Sequence, residues 1–279
     1  MKDFIRLTDL HSGDVDQIFR IADEMKQGKR KGGLREKSAV LFFPDSSLRT
    51  RVTFEKGIYL QGGQSIRFPA EVLEKKEDLR DVCGYLDQWA DLVVVRHKDI
   101  RVIETMAKYL DAPVVNAMTD CNHPCEVLSD LYALSKMRED FRKDKYLFCG
   151  KAGNIGFSWK EAAQVLGLDL TQCCGKGYEM EGVKNCRNIW EAVVGKDVIC
   201  TDSLPSSMLP DFKDCQVTLA AMRLANEGAV LNPCPPFYRG EEVTEEVVGS
   251  KYFVGYGFKE SLLWVQQAVV AYCLGEVMG

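Results

Sequence analysis

Short apolar runs alternate with amphipathic stretches along the whole chain. The apolar runs, each of strand length, are SAVLFF (38–43), DLVVVR (91–96), APVVNA (112–117), KYLFCG (145–150), LDLTQCC (168–174), DVICT (197–201) and AVLNPC (229–234). Stretches between them, such as 14–25 and 125–137, repeat apolar residues every three or four positions and predict helices. Strands that alternate with helices form parallel sheets covered on both faces. The pattern therefore predicts an α/β protein with doubly wound parallel sheets.

Two features predict how the chain divides. The charged segment SKMREDFRKDK (135–145) is typical of the end of one α/β unit and the start of another. The final helical stretch, 260–279, has no strand after it, so we expect it to pack back on the first unit. The predicted parts are residues 1–134, residues 135–260 and a returning helix at 261–279.

Polar or unusual stretches follow nearly every predicted strand. They are Ser47 to Arg51, Arg96-His97, TDCNHPCE (119–126), GKAGNIG (150–156), TDSLPSSM (201–208) and NPCPPFYRG (232–240). In open α/β sheets ligands bind beyond the carboxyl ends of the strands. The sequence therefore predicts binding sites along these edges.

The first of these stretches, FFPDSSLRTRVTFE (42–55), leads from a strand into a helix. A helix N-terminus has unpaired N–H groups and a positive dipole end, which together stabilise an oxyanion. Ser47, Arg49, Thr50 and Arg51 add hydroxyl donors and guanidinium forks that suit phosphate or carboxylate. The alternative is a serine N-cap followed by two solvated arginines.

Composition narrows the class of protein. The chain has 279 residues, a formal charge of −5 and 46% hydrophobic residues, which gives no concentrated basic surface for nucleic acid or anionic membrane. No apolar run approaches the roughly 20 residues of a membrane span.

The N-terminal stretch lacks a signal-peptide core, so we expect a cytoplasmic protein whose 11 cysteines are free thiols. CNHPC (121–125) lacks a second ligand pair, and no metal is predicted.

The segment GKAGNIG (150–156) carries glycines at a spacing that suggests a dinucleotide site. Such sites usually have an acidic residue about 20 positions later, at the end of the next strand. That strand ends here in Gly175 and Lys176. A nicotinamide-dependent oxidoreductase is therefore the weaker alternative.

Five motifs taken together resemble a known enzyme family. SSLRTRVTFE, VVVRH, HPCEVLSDL, TDSLPSSM and CPPFYRGEEVTEEV occur in an order and at separations similar to those of the aspartate and ornithine carbamoyltransferases, closer to the ornithine branch. The resemblance covers almost the whole chain. It implies a carbamoyltransferase with carbamoyl phosphate and an amine or amino acid as substrates, no cofactor and no metal, assembled as a homotrimer.

The resemblance assigns the first domain to carbamoyl phosphate. The loop that begins at Ser47 and includes Leu48, Arg49, Thr50 and Arg51 would hold the phosphate. Arg96 and His123 would contact the carbamoyl group, with Glu126 beside them, and Arg96, His123 and Thr50 would polarise its carbonyl. From the residues alone, a hydrogen-bonded core histidine is the favoured interpretation of His123. Lys76, next to Lys75, resembles a loop that reaches a neighbouring subunit's site.

The resemblance assigns the second domain to the acceptor. Its expected contacts are Asn154, Asp202, Ser207, Met208, Cys234 and Pro235, with Cys234 beside the reacting amine. Cys234 alone is also compatible with ordinary packing. Because Asp202 is acidic, a cationic acceptor such as ornithine or a related diamino compound is favoured over aspartate.

Four positions depart from the family pattern. Leu48 stands where a threonine is usual, Glu126 replaces a glutamine, Lys151 replaces an aspartate, and Leu262 replaces an arginine near the last helix. Lys259 is a candidate to supply the charge missing at Leu262. The departures leave the acceptor open, and the sequence does not give the direction of the reaction. Glu126 and Leu262 favour one alternative of another class, a non-catalytic binder of carbamoyl phosphate or other anions.

Overall fold

The computed structural model describes residues 2–275. The chain divides into two compact units. The first ends at Ala133 and also includes residues 259–275, and the second runs from Leu134 to Phe258. The limits 1–134, 135–260 and 261–279 remain a prediction for the functional domains.

A four-stranded parallel sheet forms the centre of the first unit. Its strands are β1 (Ser38–Phe42), β2 (Gln64–Phe68), β3 (Leu92–Arg96) and β4 (Val114–Met118), in the order β2-β1-β3-β4. Val40 pairs with Val93, and Val94 pairs with Val115. These valines are buried, as expected for a parallel sheet covered on both faces, which explains the continuous apolar runs.

Helices cover this sheet, and the last of them confirms the predicted return of the chain. They are α1 (Ser12–Lys26), α2 (Arg49–Leu60), α3 (Leu79–Leu86), α4 (Ile100–Tyr109), α5 (Pro124–Met137), which continues past the unit boundary, and α10 (Ser261–Cys273). Helix α10 packs against α1 and α2. It is buried on nearly every side, and no helix in the described part of the chain is long and apolar enough to cross a membrane.

The second unit contains a five-stranded parallel sheet. Its strands are β5 (Lys145–Cys149), β6 (Asp169–Cys173), β7 (Lys184–Cys186), β8 (Val198–Thr201) and β9 (Val230–Pro233), in the order β7-β6-β5-β8-β9. Its helices are α6 (Asn154–Leu166), α7 (Ile189–Ala192), α8 (Leu219–Met222) and α9 (Glu245–Val248). The prediction of two doubly wound parallel sheets is confirmed.

Two strands were not anticipated from the sequence. β2 is an edge strand whose residues are mostly exposed, so its sequence QSIRF lacks the apolar run of a buried strand. β7 is also an edge strand and has only three residues. Both are strands because a buried neighbour, β1 or β6, supplies backbone partners, which the local pattern does not reveal.

Candidate active site

The phosphate-binding loop predicted from the sequence lies between β1 and α2. Ser47 and Thr50 are buried, whereas Leu48 and Arg49 are exposed. Leu48 occupies the N-cap position of α2 and has no side-chain oxygen to bond the first-turn N–H groups. Those N–H groups and the positive end of the helix dipole are therefore available to an anion.

The two arginines of the loop differ in their surroundings. Among residues 2–275 the Arg49 side chain has no hydrogen bond or ion pair. The Nε of Arg51, in contrast, donates to Oε1 of Glu55 at 2.9 Å, and Arg67 donates to the other oxygen of Glu55 at 3.0 Å. Arg49 is thus the guanidinium of this loop that is free to meet a phosphate, while Arg51 is engaged along the surface of α2.

Arg96 lies at the carboxyl end of β3 and reaches the same loop. Its Nη1 donates to Oγ of Ser47 at 3.1 Å, which joins two segments 49 residues apart. Burial lowers the pKa of Arg96, but its ordinary value is so high that the guanidinium stays charged. The fold therefore places a second fixed cation next to the N-terminus of α2.

His123 is a buried imidazole just before the start of α5. Burial lowers its pKa to about 4, and the charges of Arg96 and Lys259 act in the same direction, against the opposing effect of Glu126. His123 is therefore neutral near pH 7. A neutral imidazole keeps one ring N–H, which can donate to a carbonyl oxygen without adding a buried charge.

Glu126 and Asp130 lie one turn apart on α5, and both are paired with Lys259. The Nζ of Lys259 is 2.8 Å from Oε1 of Glu126 and 2.6 Å from Oδ1 of Asp130. Burial acts to raise the pKa of Glu126, but the charge of Lys259 and its hydrogen bond outweigh burial, so the net shift is downward and Glu126 is ionised. Lys259 is thus shared between two acidic side chains, and Leu262 is buried in the packing of α10.

A pH dependence of stability follows from His123. Its pKa of about 4 in the folded protein lies below the ordinary value near 6.5, so the unfolded chain binds the proton more tightly. Between pH 6.5 and pH 4.5 the free energy of unfolding is expected to fall by roughly 2–3 kcal/mol from this group. Urea unfolding at several pH values measures it. The variant His123→Asn should lose this slope, and an unchanged slope would contradict the assignment.

A cavity of about 270 Å³ lies at the strand ends of the first unit, lined by Arg96 and its neighbour His97. His97 is buried, and its Nδ1 accepts a hydrogen bond from the N–H of Asp99 at 3.0 Å. Its Nε2 is 3.3 Å from Glu74, which also pairs with Lys98 at 3.0 Å. These contacts hold the segment that precedes Lys76 against the end of β3, and Lys76 itself is exposed.

In the second unit, Asp202 and Cys234 follow the adjacent strands β8 and β9. Thr201 and Pro233 are paired in the sheet, so the residues that follow them are neighbours. Asp202 is half-buried and accepts a hydrogen bond from the N–H of Ser203 at 2.9 Å, whereas Cys234 is buried. The structure thus brings together two of the residues expected to contact the acceptor.

The remaining predicted acceptor residues lie on other elements of this unit. Asn154 is the first residue of α6, and its Oδ1 accepts from the N–H of Ile155 at 2.9 Å. Ser207 and Met208 belong to a 3₁₀ segment, Ser206–Cys215, in which Ser207 is exposed and Met208 packs against the core. Pro235 precedes Pro236 through a cis peptide bond.

The glycines of GKAGNIG have a packing explanation. A Cβ at Gly150 would lie 2.8 Å from the ring of Phe148 and 3.5 Å from Cβ of Asp202. A Cβ at Gly156 would lie 2.8 Å from the same ring and 3.0 Å from the carbonyl oxygen of Lys151. Glycine is needed at both positions because α6 and the Asp202 loop approach the end of β5 closely.

The two cysteines of CNHPC lie in different surroundings. The Sγ of Cys125 is buried and donates to the carbonyl oxygen of Asn116 at 3.6 Å, whereas Cys121 is exposed. Within residues 2–275, no group of three or more His, Cys, Asp or Glu side chains is arranged to hold a metal ion.

Comparison with known proteins decides the family. A sequence profile described as "Aspartate/ornithine carbamoyltransferase, carbamoyl-P binding domain" matches residues 2–136, and one described as "Aspartate/ornithine carbamoyltransferase, Asp/Orn binding domain" matches residues 142–273. The chain belongs to the aspartate/ornithine carbamoyltransferase family. It is therefore a carbamoyltransferase, and the oxidoreductase alternative is set aside.

Individual relatives agree with this assignment. An ornithine carbamoyltransferase of Desulfotalea psychrophila is 31% identical over 284 residues, which cover 94% of each chain. One of Caldicellulosiruptor saccharolyticus is 30% identical and covers 99% of this chain and 100% of the relative. The solved structure of ornithine carbamoyltransferase from Pyrococcus furiosus superimposes with a TM-score of 0.92 at 27% identity, over 99% of this chain and 98% of that one.

Some features of this carbamoyltransferase site were not found from its sequence. The pairing of Lys259 with Glu126 and Asp130 joins segments at least 129 residues apart, and no local pattern announces it. The hydrogen bond between Arg96 and Ser47 was also not anticipated. The one available signal was their position: Arg96 ends β3 and Ser47 comes shortly after β1, and the carboxyl ends of these neighbouring strands meet at one edge.

Proposed function

We propose that this protein transfers the carbamoyl group of carbamoyl phosphate to the amine of an amino acid, ornithine or a related diamino compound. The observation that carries the proposal is the Arg96–Ser47 hydrogen bond of 3.1 Å, which fixes a cation beside the open N-terminus of α2. Arg49 and the first-turn N–H groups would bind the phosphate there. Arg96, His123 and Thr50 would surround the carbamoyl oxygen.

The proposed chemistry is an acyl transfer. The neutral amine attacks the carbamoyl carbon, and negative charge develops on the carbonyl oxygen. The N–H donors of Arg96 and neutral His123 and the hydroxyl of Thr50 would stabilise that charge because they are held in place before the reaction. The bond from carbon to the phosphate oxygen then breaks, phosphate leaves with the electron pair and the amine nitrogen loses a proton. Arg49 would stabilise the charge that grows on the phosphate.

The acceptor is proposed to be cationic at its recognition group. Asp202 is a half-buried carboxylate beside the buried Cys234, in the domain whose family description names aspartate and ornithine binding. A carboxylate there favours an ammonium group and disfavours the second carboxylate of aspartate. Asn154, Ser207 and Met208 would complete the contacts, with Pro235 shaping the pocket. We include Cys234 among the groups near the reacting amine.

The function is tested by detecting the product. Purified protein is incubated with carbamoyl phosphate and, in separate reactions, ornithine, putrescine, lysine, shorter diamino acids and aspartate, and carbamoylated products are identified by mass spectrometry. A product from ornithine or another diamino compound supports the proposal. A product from aspartate alone would contradict the assigned role of Asp202, and calorimetric binding of carbamoyl phosphate without any product would favour the non-catalytic alternative.

The non-catalytic alternative rests on Glu126 and Leu262. An ionised carboxylate beside the proposed anion site opposes a dianionic ligand unless the surrounding cations compensate for it. Here Lys259 supplies that compensation at 2.8 Å, which supports an active site instead of a disabled one.

Asp202→Asn is expected to raise the KM for a cationic acceptor by about 10- to 100-fold. A hydrogen bond to a charged group contributes about 1.5–3 kcal/mol, and the amide removes the charge while keeping the shape. Steady-state kinetics measure the change, and calorimetry should show unaltered binding of carbamoyl phosphate. Asp214→Asn, at an exposed aspartate of the same unit, is the matched control. Equal effects of the two substitutions would refute a specific role for Asp202.

We also propose a cytoplasmic homotrimer in which Lys76 reaches a neighbouring active site. The exposure of Lys75 and Lys76, at the end of a segment held to β3, is compatible with this role. Mixing two inactive variants, Lys76→Ala and His123→Asn, tests it. Recovered activity in the mixed oligomer supports shared sites, and its absence, with correct assembly shown by sedimentation, would contradict them.

A further inference from the structure

A second cavity, of about 200 Å³, lies at the carboxyl edge of the sheet in the second unit. Cys149, the last residue of β5, and Leu204, shortly after β8, both line it. These strands are adjacent, and the chain continues from β5 toward β6 on one side and from β8 toward β9 on the other. The cavity therefore lies where the strand order reverses, which is the usual place for a ligand in an open α/β sheet.

The walls of this cavity are largely apolar. Leu204 and Phe212 are buried, and Leu209 packs against the same hydrophobic core. The thiols of Cys149 and Cys215 complete this side. The pKa of Cys215 is raised mainly by its hydrogen bond with Cys173 and also by burial, so its thiol stays neutral. These surfaces suit a short aliphatic chain.

Glu242 places a buried carboxyl group in this mainly apolar cavity. It lines the cavity and is 5% exposed. Its Oε1 accepts a hydrogen bond from the N–H of Tyr238 at 2.7 Å. Its Oε2 is buried and has no hydrogen-bond partner among residues 2–275. A buried carboxylate oxygen without a donor is unusual and calls for a partner from outside the chain.

The segment that carries Glu242 is fixed by its own hydrogen bonds. The Nε2 of Gln216 donates to the carbonyl oxygens of Gly240 at 3.0 Å and Glu241 at 2.8 Å. The N–H of Val217 donates to the carbonyl oxygen of Glu242 at 2.9 Å. Because these bonds hold the wall in place, a ligand need not order it on binding.

We propose that this cavity binds a small aliphatic ammonium ion, with the Glu242 carboxylate as its counter-ion. None of the residues expected to contact the acceptor, namely Asn154, Asp202, Ser207, Met208, Cys234 and Pro235, lines it. The site is therefore additional to the proposed acceptor site. The ammonium group would donate a hydrogen bond to the unpaired Oε2 of Glu242, and the alkyl chain would contact Leu204, Leu209 and Phe212.

The charges around the cavity agree with a cationic ligand. Glu241 lines the cavity, and Asp202 is close enough to raise the pKa of Glu242. Lys213 also lines the cavity, but its side chain is exposed, so water screens its positive charge. An anion would meet three carboxyl groups. A hard metal cation would require several further oxygen ligands, which the thiols of Cys149 and Cys215 do not supply.

Binding should release protons near pH 7. Burial raises the pKa of Glu242 to about 7, and the charges of Glu241 and Asp202 add to the shift. At pH 7 a substantial fraction of Glu242 is therefore protonated, and a bound ammonium ion would return it to the ionised form. Affinity should rise between pH 6 and pH 8 because the carboxylate becomes available over that range. The Cys215 thiol does not reverse this sign, because its raised pKa keeps it neutral over that range.

The test uses calorimetry of the whole protein, without carbamoyl phosphate, with n-butylammonium chloride as the probe and n-butanol as its uncharged analogue. Glu242→Gln is expected to weaken binding of the ammonium ion at least tenfold at pH 8 and to abolish proton release at pH 7, measured in buffers of different ionisation enthalpy. Glu241→Gln, the matched control next to it, should change affinity less than threefold.

Three results would overturn the proposal: no saturable binding of n-butylammonium, equal binding of n-butanol, or equal effects of the two glutamine substitutions. Leu209→Trp keeps Glu242 but fills the cavity, so it should also block binding, and it provides the test if Glu242→Gln does not fold. Binding of carbamoyl phosphate, measured separately on each variant, should be unchanged. A failure of this site is thereby distinguished from a failure of the proposed transferase function.

Discussion

Arg96→Ala is expected to lower kcat for carbamoyl transfer by about 10²- to 10³-fold, the usual effect of removing one fixed donor to a developing oxyanion. Arg96 is held by Ser47 at 3.1 Å and carries a permanent charge, so its loss removes a donor that is in place before the reaction. Steady-state kinetics with carbamoyl phosphate and the acceptor identified by mass spectrometry measure the effect.

Two further variants define the cause of that loss. Arg96→Lys keeps the charge but not the planar fork, and it should recover only part of the rate. Arg101→Ala is the matched control, because Arg101 is an exposed arginine that pairs with the neighbouring Asp99. Arg96→Ala with more than a third of the original kcat would remove Arg96 from the reacting centre.

Lys259→Met is expected to lower the free energy of unfolding by about 3–5 kcal/mol, as is typical when one partner of a buried ion pair is removed. Glu126 is 5% exposed and Asp130 is 2% exposed, and both lie within 2.8 Å of the Lys259 ammonium. Without the Lys259 ammonium, the buried carboxyl groups of Glu126 and Asp130 lie one turn of α5 apart with no cation between them. Urea unfolding at pH 7, followed by circular dichroism, measures the loss.

A compensating variant separates charge from packing. Lys259→Met combined with Glu126→Gln and Asp130→Asn removes the unpaired charges, and much of the lost stability should return. Lys29→Met, at an exposed lysine, is the control and should stay within about 0.5 kcal/mol of the unaltered protein. A loss below about 1 kcal/mol for Lys259→Met would show that water already screens the two carboxylates.

The open N-terminal end of α2, where we propose that an anion binds, was predictable from its sequence. The run of apolar residues at β1, followed by Ser47, Arg49 and Thr50 at the start of an amphipathic helix, fixes a local geometry with open N–H groups. The same local information did not show that Arg51 is hydrogen-bonded to Glu55 while Arg49 is available to a ligand. That difference depends on Glu55 and Arg67, and Arg67 is placed beside α2 by the edge strand β2.

The role of Glu126 could not be derived from its sequence position. As a departure from the family pattern it suggested a carboxylate that opposes the anionic ligand. In the fold it is balanced by Lys259, which the chain brings back 133 residues later, just before α10. The protonation states of Glu126 and His123 depend on that return, because burial and the nearby ammonium are properties of the packed unit.

The sequence by itself determined the elements that depend on neighbouring residues: strands from apolar runs, helices from their periodicity, parallel sheets from their alternation, and polar loops at the strand ends. It also carried the five motifs that identified the carbamoyltransferase family. Only the tertiary structure decided which charges are paired, which are buried, and that Glu242 lines a cavity with one oxygen unpaired. Charge interactions and burial depend on distances between segments far apart in the chain, and those distances exist only after folding.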